Sequence, residues 1–334
     1  MGAHLQLLGL SLITGVSFGV LVLSQAGSLS ASSAGLALTY ALPITDILNG
    51  LINSFVGTER EMVSVERVSE FIDLEPEVQQ ETGHDNDNST NWPTQGAIEF
   101  SHVCLQYPTA TDNALTAVSF AVRPGEKIGV VGRTGSGKSS LLAALFRLVP
   151  IRPDGGFIAI DGVRIDAVDL VTLRSRLAII TQVPTLLAGS FRDNVDPQHR
   201  LSDDRLDQLV QLCRLNGVLP ADSPLDGAIG ELSLGQKQLV CLARALARNA
   251  KVLCLDEATA SVDPATDATV QATLRSVALD GSSTVLVIAH RLNTVLDCDR
   301  IAVMDRGRLV QFGTPTELAD RHDGLFAQLL AVAH

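Results

Sequence analysis

The hydrophobic pattern divides the chain near residue 75. Residues 5–23 are a nearly unbroken apolar run of about 19 positions, which as a helix rising 1.5 Å per residue matches a hydrocarbon core of roughly 30 Å. A small polar turn at 27–33 interrupts it, and residues 34–56 resume the apolar character with Pro43 and Asp46 inside. This pattern predicts a partial transmembrane domain over 1–75, with two membrane helices at about 5–24 and 34–57. Asp46 is costly against lipid and should face protein or water. Val65, Val68, Phe71 and Ile72 share one stripe of a further helical stretch over 62–74, continuing the second helix into the cytosol until Pro76. Residues 76–96 read as a linker, with 81–94 rich in Gly, Asn, Asp, Ser and Thr. From residue 97 to 334, short β-like runs alternate with helical ones, the pattern of an α/β domain on a largely parallel sheet.

Charge sharpens the division. No Lys or Arg precedes Arg60, so the positive-inside rule puts the C-terminal side in the cytoplasm and the chain in a membrane. A secretory signal is the alternative for the first run, because Ser24-Gln25-Ala26 resembles a cleavage site. The run nevertheless lacks a charged n-region and is longer than usual. Gln6 stands where a myristoylation signal needs Ser or Thr. With 334 residues, 46% of them apolar, the chain is long enough for about two domains. A net charge of −12 leaves no general basic stripe for phosphates, which disfavours nucleic acid as a partner. The five cysteines have no metal-binding spacing and read as reduced, packed thiols.

The chemistry starts at residues 132–139, Gly132-Arg133-Thr134-Gly135-Ser136-Gly137-Lys138-Ser139. A strand-like run at 127–131 precedes this G-x-x-x-x-G-K-[ST] pattern, and a helical one at 140–148 follows it. Glycines let successive backbone N–H groups curl round the phosphates of a nucleotide, and the helix N-terminus adds partial positive charge. Gly132, Thr134, Gly135, Ser136, Gly137 and Ser140 are therefore candidate nucleotide contacts. Lys138 should reach the phosphates and Ser139 should ligate Mg2+. The apolar run 251–255 ends in Asp256-Glu257, at the sheet edge where strand ends present side chains to a ligand. Asp256 suits Mg2+, directly or through water, and Glu257 suits a general base. Gln182 and His290 each follow an apolar strand-like run, where they can sense the metal, the water or the terminal phosphate.

Leu232-Ser233-Leu234-Gly235-Gln236 resembles the signature of ATP-binding cassette proteins, and it precedes Asp256-Glu257 at the usual distance. The resemblance implies an ATPase with ATP and Mg2+ as cofactors. Its fold would be a phosphate-loop NTPase core with an antiparallel β lobe and a helical lobe around 189–249, preceded by two transmembrane helices. It further implies that Tyr107 stacks on adenine, that Gln182 also ligates the metal, that 261–263 form the D-loop and that His290 is the switch histidine. Two such domains meet head to tail in this family, so Ser233, Gly235 and Gln236 would touch ATP held by a second nucleotide-binding domain. That partner would be a second copy or another transporter half.

Residues 183–197 and Ser64-Val65-Glu66-Arg67 are similar to the second half of multidrug-resistance-protein exporters, the C subfamily. The comparison implies the last two membrane helices plus the second nucleotide-binding domain, in contact with membrane lipid. Organic anions or drugs are the cargo class it suggests. Two departures matter. Leu234 stands where many relatives have Gly, and residues 230–232 lack several Gly-rich residues that usually separate the acid from the signature. The rival readings are a truncated, transport-incompetent regulatory fragment and a non-transporting ATPase of the same family. No N-K-x-D motif supports a guanine-nucleotide switch.

Overall fold

The computed structural model describes residues 2–27, 29–74, 77, 92–152, 154–220, 222–256, 266, 268–270, 272–273, 275, 283–289, 295–321 and 324–333; at 2–6, 8, 42, 45, 48, 332 and 333 it describes the backbone alone. The chain splits into two compact units, residues 1–78 and 79–334.

The first unit is a pair of packed helices, α1 (Gly2–Gln25) and α2 (Ala31–Ile72). Ser30 caps α2 by accepting a bond from Ser33 N, which fits a short hydroxyl side chain at an N-cap. The expected second helix and the amphipathic stretch after it are thus one continuous helix that accommodates Pro43. It stops at Asp73, whose N–H bonds Ser69 O, while Pro76 lies outside the described residues. The two expected membrane crossings gain no support here: among the described residues no helix is long and apolar enough to cross a membrane. In α2 the apolar run is interrupted by Asp46, and the six charged residues from Glu59 to Glu70 give its second half a polar character.

The second unit is built on two sheets. One is antiparallel, in the order β2-β1-β4-β5, from β1 (Ile98–Leu105), β2 (Leu115–Val122), β4 (Phe157–Ile160) and β5 (Val163–Arg164). The other has the order β10-β9-β3-β8-β7-β6. Its strands are β3 (Lys127–Gly132), β6 (Leu177–Ile180), β7 (Val252–Asp256), β8 (Thr284–Ile288), β9 (Arg300–Asp305) and β10 (Arg308–Gly313). All neighbours in it are parallel except β9 and β10.

The near-continuous apolar runs of β7 and β8 follow from burial on both faces. Alternate residues feed two cores. Ile128, Val130, Cys254 and Leu286 join a core with the antiparallel lobe and α3 (Lys138–Leu145), while Val131, Leu253, Leu255 and Val287 join one with the helical lobe. That lobe contains α5 (Phe191–Val195), α6 (Asp203–Leu212) and α7 (Leu234–Ala247), and α4 (Leu170–Arg176) precedes β6. Helix α3 ends before the expected 148 because Arg147 takes a left-handed φ of 49°, which stops a right-handed helix.

Candidate functional site

In a parallel sheet all strands point their C-terminal ends to one edge, so the segments leaving them are neighbours in space whatever their distance in sequence. The loop 133–137 leaves β3, Asp256 ends β7 and the turn with Gln182 leaves β6. Glu257, the segment 261–263 and His290 lie outside the described residues.

The loop is shaped by backbone that only glycine tolerates well. Gly132 has φ 156°, and a Cβ there would lie 2.3 Å from Met304 O and 2.5 Å from Ser136 Oγ. Gly137 has φ 98°, and its Cβ would lie 2.7 Å from Ala114 O. The turn between β9 and β10 braces the loop, because Gly307 N donates to Ser136 O at 3.0 Å while Gly307 O accepts from Thr116 N at 2.8 Å. The sequence reading missed Gly307, whose lone Arg-Gly turn carries no sign of what it touches.

Lys138 opens α3 and is only 5% exposed. Its Nζ donates to Gly132 O at 2.8 Å and Arg133 O at 3.0 Å, so the ammonium sits inside the curl of the loop. Ser136 is 3% exposed and its Oγ is buried without a hydrogen-bond partner among the described residues. A buried hydroxyl left unpaired costs free energy, and here it belongs to a loop whose shape suits a phosphate. Thr134 and Gly135 are exposed at its tip.

Ser139 is exposed, and its Oγ donates to Asp256 Oδ1 at 3.4 Å. Hydroxyl and carboxylate oxygens are the donors Mg2+ prefers, so this pair fits that ion beside a phosphate group. Ser140 is buried, and its Oγ lies 3.2 Å from Tyr107 Oη. Tyr107 is half-buried and packs against the core under α3. The structure therefore gathers Tyr107, Gly132, Ser136, Gly137, Lys138, Ser139, Ser140 and Asp256.

Gln182 is exposed one residue after Thr181. The segment around it is tied to α7 at both ends: Gln238 Nε2 donates to Thr181 O at 3.2 Å, and Arg244 NH1 donates to Thr185 O at 2.9 Å. Gln238 is 1% exposed and was also missed. A polar residue in phase with the apolar face of α7 was the available signal.

Ser233, Gly235 and Gln236 form a separate group at the start of α7. Ser233 Oγ accepts from Gln236 N at 3.2 Å and Gln236 Oε1 accepts from Ser233 N at 2.9 Å, a complete capping box. These side chains are spent on each other rather than on loop 132–139. Gly235 is buried and Leu234 exposed. Ahead of them, Ile229 N bonds Gly189 O at 2.9 Å, which fixes the approach to the short 230–232 connection.

Among the described residues no group of three or more His, Cys, Asp or Glu is placed to hold a metal. Cys213, Cys241, Cys254 and Cys298 are buried and Cys104 half-buried, all as free thiols. Burial pushes Cys213 and Cys298 up to about 12, so neither supplies a thiolate near neutral pH.

Residues 115–260 match the sequence model of the ABC transporter family. The chain is 46% identical over 334 residues to ATP-binding cassette sub-family C member 10 of Mus musculus, covering 98% of this chain and 22% of that protein. It is 41% identical over 308 residues to the vacuolar heme ABC transmembrane exporter abc3 of Schizosaccharomyces pombe, covering 91% of this chain and 21% of that one. It thus spans about a fifth of the length of these curated relatives. Among solved structures, a bacterial Atm1-family ABC exporter with ATP bound superposes with a TM-score of 0.68 at 28% identity, covering 91% of this chain and 53% of that one.

Proposed function

Because the chain belongs to the ATP-binding cassette transporter family, we propose that residues 97–334 bind ATP with Mg2+ and hydrolyse it, and that the longer assembly of which they form part uses this to export a solute. The observation that carries the reading is the meeting of Ser139 and Asp256 beside a loop that encloses Lys138. Backbone N–H groups of 133–138 and the start of α3 would hold the phosphates, Lys138 would bind their charge, and Tyr107 would face the base. Mg2+ would take oxygen donors from Ser139 and Asp256, with Gln182 approaching from the end of β6. When bound it screens the charge that develops on the transferred phosphoryl group. Glu257 would polarise the attacking water and His290 would contact the terminal phosphate.

The signature group Ser233, Gly235 and Gln236 lies on another element from the loop. It supports a head-to-tail pair in which each chain completes the other's site. The relatives' names support a membrane role for α1 and α2, as does the exposure of Leu7, Leu10, Phe18, Leu21, Leu36, Leu51 and Phe55. In that role the two helices contact lipid and the domain 97–334 lies in the cytoplasm, after a linker at 76–96. Organic anions or drugs remain the proposed cargo class. Calorimetric titration of the full chain with ATP and Mg2+ tests the reading. One saturable site per chain is expected, and no binding heat at millimolar ATP overturns it.

A further inference from the structure

A cavity opens beside the turn that carries Gln182. It has a volume of about 230 Å3, and its walls include Thr181 and Thr185 from that turn, Cys241 and Arg244 from α7, and Arg248, which caps the end of α7. Arg244 and Arg248 are one helical turn apart and so share a face. Among the described residues no carboxylate lines this cavity.

Arg244 spends Nε on Asn194 O, NH2 on Asn194 Oδ1, both at 2.8 Å, and NH1 on Thr185 O. This fixes its guanidinium in place. Arg248 is exposed and its NH1 makes two long bonds of 3.4 Å, to Arg174 O and Leu177 O. Of its five N–H donors, those on Nε and NH2 have no protein acceptor among the described residues. In a chain with 37 acids against 25 basic residues, two guanidinium groups on one cavity wall without an acid are an excess of positive charge that asks for an anion. The contrast within the same domain is Arg164, which borders another cavity but is closed by Asp166 at 2.5 Å.

We propose that this cavity is a binding site for a phosphate-class oxyanion, distinct from loop 132–139, held by Arg248 and Arg244. Guanidinium forks match such an anion with two parallel N–H bonds. Arg244 supplies a preset charge, and Arg248 swings from its two long carbonyl bonds to close on the anion. Occupancy bears on the turn at 181–185, since Gln238 and Arg244 already hold both its ends.

Cys241 gives a reporter local to this cavity. The test is the rate of Cys241 modification by methyl methanethiosulfonate in the full chain, read by peptide mass spectrometry, with inorganic phosphate against chloride at equal ionic strength. Cys104, half-buried in the antiparallel lobe, is the internal control. Phosphate is expected to slow labelling of Cys241 at least fivefold and leave Cys104 unchanged. Arg248→Ala removes an exposed side chain, so the fold should survive; it is expected to abolish the protection, with Arg248→Lys restoring part of it. Loop 132–139 contributes no residue to the lining, so protection that Arg248→Ala removes reports this cavity whether or not the ATP reading holds. No protection in the wild-type chain, or equal protection in Arg248→Ala, overturns the site.

Discussion

Ser139 Oγ lies 3.4 Å from Asp256 Oδ1, although the two residues are 117 positions apart in sequence. One opens the helix after β3 and the other ends β7, with β8 lying between those strands. If the pair ligates Mg2+, Ser139→Ala removes a metal donor without touching the backbone groups that face the phosphates. ATP binding with Mg2+ should weaken by about tenfold, on the order of one hydrogen bond to a charged group, while binding in excess chelator stays within twofold. Paired titrations with and without Mg2+ check this, and equal losses in both would refute a metal role.

Lys138→Ala should abolish Mg-ATP binding. The sequence alone suggests an exposed loop lysine whose loss spares the fold, yet Lys138 is buried and bonded to two loop carbonyls. Its removal leaves Gly132 O and Arg133 O without that donor, at a cost of about 1–3 kcal/mol. A lower melting temperature should therefore accompany lost binding. Circular dichroism separates the two effects, because the variant should still be folded at 20 °C when calorimetry reports no nucleotide heat.

Asp161 is a structural carboxylate outside the site. Its Oδ2 accepts from Thr94 N, Gln95 N and Gly96 N at 2.7, 2.8 and 3.1 Å, and its Oδ1 from Ala97 N at 2.7 Å. Burial alone would raise its pKa, but the four backbone donors outweigh it and hold the carboxyl below its usual value. A depressed carboxylate contributes stability above the unfolded pKa of about 3.9, and loses it as pH falls through the lower folded value. Asp161→Asn should lower the melting temperature at pH 7, by a few degrees for roughly 1–2 kcal/mol in a domain of this size. The gap from wild type should shrink as the pH drops below about 4. A gap that stays constant from pH 7 to pH 3 would show that the charge is not what the four N–H groups require.

These cases show what the sequence carries and what it does not. Strands β7 and β8 are legible because burial on both faces makes them plain apolar runs, and loop 132–139 because its function fixes residue types at fixed spacing. The start of α7 is legible for a second reason, since Ser233 and Gln236 at i and i+3 are a capping box as well as part of a signature. Asp161 is not legible: an Asp-Gly step reads as a turn, and only tertiary folding brings the four N–H groups of 94–97 onto it. Gly307 under Ser136 and Gln238 under Thr181 are hidden in the same way, by contacts spanning 57 residues or more. The helix pair α1 and α2 is legible as helix, because length and apolar periodicity decide that locally. Whether it spans a bilayer depends on neighbours that these residues do not specify.

The last prediction concerns turnover and its limits. Glu257→Gln keeps the side chain's shape and removes its charge, so ATP binding should persist while hydrolysis falls at least ~100-fold, the scale of a lost acid–base group. In the proposed head-to-tail pair, the signature group at the start of α7 would meet a nucleotide held by the partner's loop. Wild-type turnover per chain should therefore rise steeply with protein concentration, and the Glu257→Gln variant should show an ATP-dependent dimer by analytical ultracentrifugation. Turnover independent of concentration would remove the shared site.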